Sequence, residues 1–332
     1  MPDSSRPANP RVIITRELAD ANQDRMCELF DAVPNHADTP FSRDDLIAAM
    51  ADCDVLVPTV TDHIDAEMIA NAPDRLRMIA SFGAGVDHID LAAARAKKII
   101  VTNTPGVFTE DTADMTMALI LSVPRRLSEG EKLMRSGQWE GWKPSGMLGH
   151  CIGGKKLGII GMGRIGQAVA RRASGFGMSI VYHNRRQLPP AVEETLRASY
   201  VADLEQLIRE CDIISLHCPH TAETHEMINA ERISQMKPST YLINTARGDL
   251  VDEDALINAL ENQRIGGAGL DVYQREPDID PRFLQLKNTV LLPHMGSATF
   301  EGRAASGERV ITNIRVWADG HRPPDQVLDG WV

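Results

Sequence analysis

The sequence has no run approaching the ~20 consecutive apolar residues that a membrane-spanning helix requires. Its opening residues, M-P-D-S-S-R-P-A-N-P, lack the apolar core of a secretory signal. The five cysteines, Cys27, Cys53, Cys151, Cys211 and Cys218, are odd in number, scattered and never in C-x-x-C spacing. That argues against a disulfide framework and a zinc site, and it points to a reducing cytoplasm. No other metal-ligand spacing and no Ser-His-Asp pattern competes, so no metal is expected. A repeat of roughly 20–50 residues is also missing, which removes solenoids and propellers. Positive charge is in deficit: 35 Lys and Arg against 46 Asp and Glu leave a formal net charge of -11. Nucleic acid and anionic membranes are poor bulk partners for such a chain, although a local basic pocket for a small anion stays open.

At 332 residues the chain has room for about two domains. Short β-type runs alternate with helical patterns, as in a parallel α/β layer. In the first half, strands are expected over Arg11–Thr15, Asp54–Pro58, Met78–Ala80 and Ile99–Val101. A helix with Met26, Leu29 and Phe30 on its apolar side and another over Ile64–Ile69 lie between them. Thr109 is a plausible N-cap, with Glu110 and Asp111 suited to a first turn. The apolar run Met115–Val123 reads as a buried helix that Pro124 kinks or ends, and Arg126–Arg135 as a second one. Later strands are expected over Ile213–His217, Tyr241–Asn244, Gly267–Val272 and Thr289–Leu292, with Asp252 capping a helix over Glu253–Leu260. Thr299–Gly320 reads as the closing helix, with Val310, Ile314 and Trp317 on one side.

The chain is organised around Leu157–Ala170, L-G-I-I-G-M-G-R-I-G-Q-A-V-A. An apolar strand is followed by Gly161, Gly163 and Gly166 in G-x-G-x-x-G spacing, then by a helical pattern and a second strand at Ser179–Tyr182. Gly161 allows the tight turn, Gly163 lets a pyrophosphate approach the backbone, and Gly166 lets helix and sheet pack closely. The helix N-terminus supplies free N–H groups. The glycines alone are compatible with an empty strand-to-helix turn; the βαβ context favours a dinucleotide.

Tyr182-His183-Asn184-Arg185-Arg186 stands where an NAD-binding unit usually carries Asp or Glu for the ribose hydroxyls. Between Gly166 and Glu193 there is no acidic residue at all. A 2′-phosphate would be repelled by a carboxylate and held by guanidinium groups, so NADP is preferred over NAD, with merely solvated arginines as the alternative.

Ligands of open parallel sheets gather at the carboxyl ends of strands. Four such ends carry polar residues: Cys218–His220, Thr245–Arg247, Asp271 and His294. Reduction of a 2-keto acid needs a cation for the carboxylate, a proton donor near neutrality, and a carboxylate behind that donor. Arg247, His294 and Glu276 supply these three. Singly, each has an ordinary reading as a surface ion pair, a satisfied buried histidine or a solvated loop acid; together, beside the dinucleotide motif, they read as a catalytic set. Gly83 and Gly85 flank Ala84 right after a strand, and such a turn presents N–H groups to a small carboxylate, or is a plain turn. Trp139 and Trp142 lie in a polar loop, where they cover a core edge or a subunit contact, or border the substrate pocket.

G-M-G-R-I-G, N-T-A-R-G, G-L-D-V-Y-Q-R-E-P and P-H-M-G-S-A-T, in this order and spacing, resemble the D-isomer-specific 2-hydroxyacid dehydrogenase family over nearly the whole chain. W-x-x-W-K-P, Y-H-N-R-R and H-M-G-S-A-T are similar to its glyoxylate/hydroxypyruvate reductase branch. The resemblance implies that Arg247 binds the substrate carboxylate and polarises the keto group, that His294 gives the proton, and that Glu276 pairs with it. It implies that the Ala84 and Gly85 backbone holds the carboxylate. Arg164 and Ile165 would lie against the pyrophosphate, and Cys218, Pro219 and Thr224 would line the adenosine side. Thr245, Asp271 and Gly296 would meet the nicotinamide end; Thr112, Ala246, Arg247 and His294 are further implied cofactor contacts. Trp142 would reach a neighbouring subunit's pocket, which implies a homodimer, while Trp139 stays a packing residue. The lost acid near Asn184 departs from the wider family.

The expected architecture is two α/β domains. A Rossmann-type doubly wound sheet over 106–299 is inserted into a smaller flavodoxin-like substrate-binding domain made of 1–105 and 300–332. The site is expected in the cleft, with hinge closure excluding water. The expected activity is NADPH-preferring reduction of glyoxylate or hydroxypyruvate to the 2-hydroxy acid. The alternatives are a dehydrogenase for another D-2-hydroxy acid and a dinucleotide-sensing regulator resembling the corepressors built on this scaffold. Such regulators tend to carry extra tails, and the serine-biosynthesis dehydrogenase a regulatory domain; neither is expected here.

Overall fold

The structure is a computed structural model and describes residues 7–328. Residues 1–6, part of the opening stretch without a leader core, lie outside it, as do residues 329–332 at the end of the expected substrate-domain segment. The described chain forms two compact units. One runs up to Phe108 and resumes at Ala298; the other is Thr109–Ser297.

The first unit holds β1 (Arg11–Ile14), β2 (Asp31–Val33), β3 (Val55–Val57), β4 (Met78–Ala80) and β5 (Ile100–Thr102). They form a parallel sheet in the order β2-β1-β3-β4-β5, the flavodoxin-like arrangement. Every residue of β3 (VLV) and β4 (MIA) is buried. Strands covered on both faces read as continuous apolar runs, which is why they show no alternation. Leu46, Met50, Ile69 and Leu76 pack in one cluster, and Met26, Val310, Ile314 and Trp317 in another. The last three belong to the helix Phe300–Ala318, so the end of the described chain completes a core begun at its start. The helix expected over Ile64–Ile69 starts later, at Ala66, because Asp65 accepts the Met68 N–H as its cap; Ile64 bridges Ile89 instead.

The second unit holds β6 (Lys156–Ile160), β7 (Ser179–His183), β8 (Ala198–Tyr200), β9 (Ile213–Leu216), β10 (Tyr241–Asn244), β11 (Gly267–Leu270) and β12 (Thr289–Leu291). The parallel order is β12-β11-β10-β9-β6-β7-β8. Strand order reverses between β6 and β9, and the carboxyl ends of these two strands open the crevice where doubly wound sheets take ligands. The helix Thr109–Ser122 takes Thr109 as its first residue rather than its cap, and it stops before Pro124, whose ring and missing N–H end the ladder. The following helix, Leu127–Arg135, buries no residue, and Trp139 and Trp142 beyond it are 53% and 82% exposed. No helix among the described residues is long and apolar enough to cross a membrane.

Candidate active site

The crevice at the end of β6 is shaped by its glycines. Gly161 has φ 99°, and a Cβ there would come within 2.5 Å of the Cys218 nitrogen. Only glycine lets the β6 exit lie against the β9 exit. A Cβ on Gly166 would strike the Gly161 carbonyl. Gly163 is different: it caps the helix Arg164–Gly175 without a side-chain bond, and a Cβ there would meet open space. The first N–H groups of that helix, those of Arg164 and Ile165 among them, have no cap of their own and favour an anion. These residues fit a pyrophosphate.

Around this loop the expected adenosine-side residues cluster. Asn184 follows β7, and its Oδ1 accepts the Met162 N–H at 2.7 Å, so the amide braces the glycine loop. Arg185 and Arg186 are exposed beyond it. Glu223 is held below the ordinary carboxylate range, first by the Thr221 hydroxyl and more weakly by the charge of Arg185, which puts the 221–224 loop in the field of that guanidinium. Thr224 Oγ1 donates to the Pro219 carbonyl and accepts the Thr221 N–H, both at 2.8 Å, closing the loop after Cys218. Burial pushes the Cys218 thiol up to about 11, so it lines the crevice as a neutral group and not as a nucleophile.

A second cluster lies at the ends of β10 and β11. Thr245 and Thr116 hydroxyls meet at 2.8 Å, Thr116 also donates to the Thr112 carbonyl, and the Asn244 side chain accepts the Ala246 N–H at 3.0 Å. The Asn244 amide donates to the Arg247 carbonyl at 2.8 Å. Gly248 then passes so close to the Tyr273 and Gln274 backbone that any Cβ would overlap it. This approach brings Arg247 beside the segment that carries Glu276.

The Glu276 carboxylate is held at both ends. Its Oε1 accepts the Tyr273 N–H at 2.9 Å, and its Oε2 lies 2.6 Å from His294 Nδ1. Burial works to raise this carboxyl, yet it sits below its usual range because the His294 hydrogen bond and charge, the Tyr273 N–H and the Arg247 charge outweigh burial. With Nδ1 turned to Glu276, any proton passed to a substrate leaves from Nε2. His294 itself has φ 53°, the left-handed region. Asp271 holds the turn that follows: its two oxygens accept the Met295 and Gly296 N–H groups at 2.8 and 2.7 Å. Burial raises the Asp271 carboxyl, with these N–H groups opposing. Gly296 in turn leaves its Cβ direction against Asp271 and Thr112. The structure thus gathers Arg247, Glu276, His294, Asp271 and Gly296 in one unit.

Ala84 and Gly85 belong to the other unit, after β4. The Gly83 carbonyl accepts the Thr104 N–H at 2.9 Å and the Ala84 carbonyl accepts the Asn103 amide at 2.7 Å. In trans peptides the N–H points opposite to the carbonyl, so the Ala84 and Gly85 N–H groups face away from residues 103–104. Sequence reasoning missed Asn103 as the brace of this turn; the strand exit T-N-T-P was its only signal. Trp142, at 82% exposure, packs into none of these clusters.

Comparison with known proteins identifies the family of this chain. The family model for the NAD binding domain of D-isomer specific 2-hydroxyacid dehydrogenases matches residues 117–296. A glyoxylate reductase of Thermococcus litoralis is 46% identical over 323 residues, covering 96% of each chain. Among solved structures, a Thermus thermophilus protein superposes with a TM-score of 0.88 at 43% identity, covering 96% of this chain and all of the other. An NADPH-dependent glyoxylate/hydroxypyruvate reductase of Sinorhizobium meliloti, solved with NADP and malonate, gives a TM-score of 0.84 at 33% identity, covering 96% of this chain and 97% of its own.

Proposed function

Because the chain belongs to the D-isomer-specific 2-hydroxyacid dehydrogenases, nicotinamide-dependent oxidoreductases of small keto and hydroxy acids, we propose that it reduces glyoxylate and hydroxypyruvate with a preference for NADPH. The observation that carries the reading is the Arg247–Glu276–His294 arrangement in the same unit as the Gly161–Gly166 crevice. The preference for NADPH rests on Asn184, Arg185 and Arg186 standing where a ribose-binding carboxylate would repel a 2′-phosphate. It is in line with the NADPH-dependent relative from Sinorhizobium meliloti.

In this reading the pyrophosphate is held by the helix start at Gly163–Ile165, the adenosine end by Cys218, Pro219 and Thr224, and the nicotinamide end by Thr112, Thr245, Ala246, Asp271 and Gly296. The bound reduced nicotinamide supplies the hydride. Arg247 takes the substrate carboxylate and polarises the keto oxygen. His294 Nε2 delivers the proton to the oxygen that becomes the hydroxyl. Glu276 holds the imidazole in its tautomer. The bare Leu127–Arg135 helix and exposed Trp142 support a homodimer in which Trp142 reaches the partner's pocket. The five unpaired cysteines accord with the cytoplasm.

The test is absorbance decay of NADPH and NADH with glyoxylate, hydroxypyruvate and pyruvate side by side. Faster oxidation of NADPH with the first two acids is expected. Absence of turnover with either cofactor refutes the activity, and a preference for NADH refutes the cofactor assignment.

A further inference from the structure

In the second unit, the exposed Arg185 and Arg186 lie between two tied points of one loop. On one side stands Asn184, whose Oδ1 accepts the Met162 N–H at 2.7 Å and whose carbonyl accepts the Tyr200 hydroxyl at 3.0 Å. On the other side the Leu188 N–H donates to the Tyr182 hydroxyl at 2.8 Å. Beside it the Gln187 amide donates to both oxygens of Glu193, at 3.0 and 3.1 Å. Pro189 and Pro190 then fix the entry into the helix Pro190–Leu196, which carries Glu193.

Tyr182 is the centre of these ties. It lies in β7 and is fully buried, and its hydroxyl donates to Glu193 Oε1 at 2.6 Å while accepting from Leu188. Burial, together with the Glu193 carboxylate, pushes this hydroxyl up to about 12, so it stays a donor near neutrality. Its ring centre is 5.4 Å from that of Tyr200 in β8. Packing alone would be served by phenylalanine; a buried phenol is kept where its O–H finds a partner. Here the partners of both hydroxyls belong to the arginine loop or to Glu193, the first acid after Gly166. A loop held in one conformation before a ligand arrives loses less freedom on binding it.

We propose that Tyr182 and Tyr200 are positioning residues for cofactor choice: through the backbone on either side of Arg185 and Arg186 they set the two guanidinium groups for a 2′-phosphate. This rests on the NADPH reading and deepens it. Neither tyrosine needs to touch the cofactor, and NADH, which lacks the 2′-phosphate, gains little from the arrangement.

The test measures dissociation constants of NADPH and NADH by fluorescence titration for wild type, Tyr182→Phe and Tyr200→Phe. Neither substitution changes charge. Each should weaken NADPH roughly three- to tenfold and NADH by less than about twofold. In a chain that already carries Arg185→Ala and Arg186→Ala, the same tyrosine substitutions should have little further effect on NADPH, because residues that act through one another are not additive. A merely structural tyrosine would weaken both cofactors alike. Such a parallel loss, an unchanged NADPH constant, or a full additional loss in the arginine-free chain overturns the proposal. Should Tyr182→Phe fail to fold by thermal melting, Tyr200→Phe carries the same comparison. Wild-type enzyme without a preference for NADPH refutes the cofactor reading itself; a wild-type preference that both variants keep refutes only the role of the tyrosines.

Discussion

His294 Nδ1 and Glu276 Oε2 lie 2.6 Å apart, and the other Glu276 oxygen is tied to the Tyr273 N–H at 2.9 Å. The imidazole is therefore oriented by a carboxylate that cannot swing away without losing a backbone bond. Glu276→Gln keeps the shape and removes the charge. It should lower kcat by at least about tenfold, because the imidazole loses the anion that orients it. The pH dependence of the wild type follows from the depressed Glu276 carboxyl. Its support is present above the ordinary carboxylate range and is lost as pH falls through its lower folded value, so the acid limb should set in below that range. A profile identical in wild type and variant would contradict this role.

The glycines of the β6 exit separate folding from binding. Gly163→Ala places a methyl group in open space at an ordinary φ of −77°, so the melting midpoint should stay near wild type while NADPH binding weakens by about tenfold or more. Gly161→Ala forces a Cβ against the Cys218 nitrogen at φ 99° and should destabilise the unit itself. Melting curves and cofactor titrations of the two variants check both; loss of stability in Gly163→Ala would contradict the phosphate role.

Much of this was legible in the chain. β6, the helix start at Arg164 and β7 follow from an apolar run, a glycine spacing and a helical period that agree with one another. β2 and β8 were not, because D-A-V and A-S-Y are short edge strands without the continuous apolar run that marks M-I-A and I-V-T. The Glu276–His294 bond was foreseen as a pair of roles. What could not be read was the backbone work around it. Asp271 was expected as a cofactor contact, but in the structure both of its oxygens hold the turn after His294, a contact between positions 24 and 25 residues apart.

Asp271→Asn tests that backbone role. The amide keeps one acceptor and turns a donor toward a backbone N–H, so a buried N–H is left unmet. A loss of about 1–3 kcal/mol in denaturant unfolding is expected, together with reduced kcat as the His294 turn loosens. Unchanged stability would mean that the two N–H groups find other acceptors.

Arg185→Ala addresses cofactor choice. A charged hydrogen bond to a 2′-phosphate is worth about 1.5–3 kcal/mol, so NADPH affinity should fall roughly tenfold to a hundredfold while NADH affinity changes little. Fluorescence titration with both cofactors measures it. Equal losses for the two would refute the assignment of Arg185.

The most direct measurement is the turnover of His294→Ala with NADPH and glyoxylate, taken beside its NADPH dissociation constant. The account predicts a fall in kcat of about 10²-fold or more with cofactor binding retained. Wild-type turnover in that variant would contradict it.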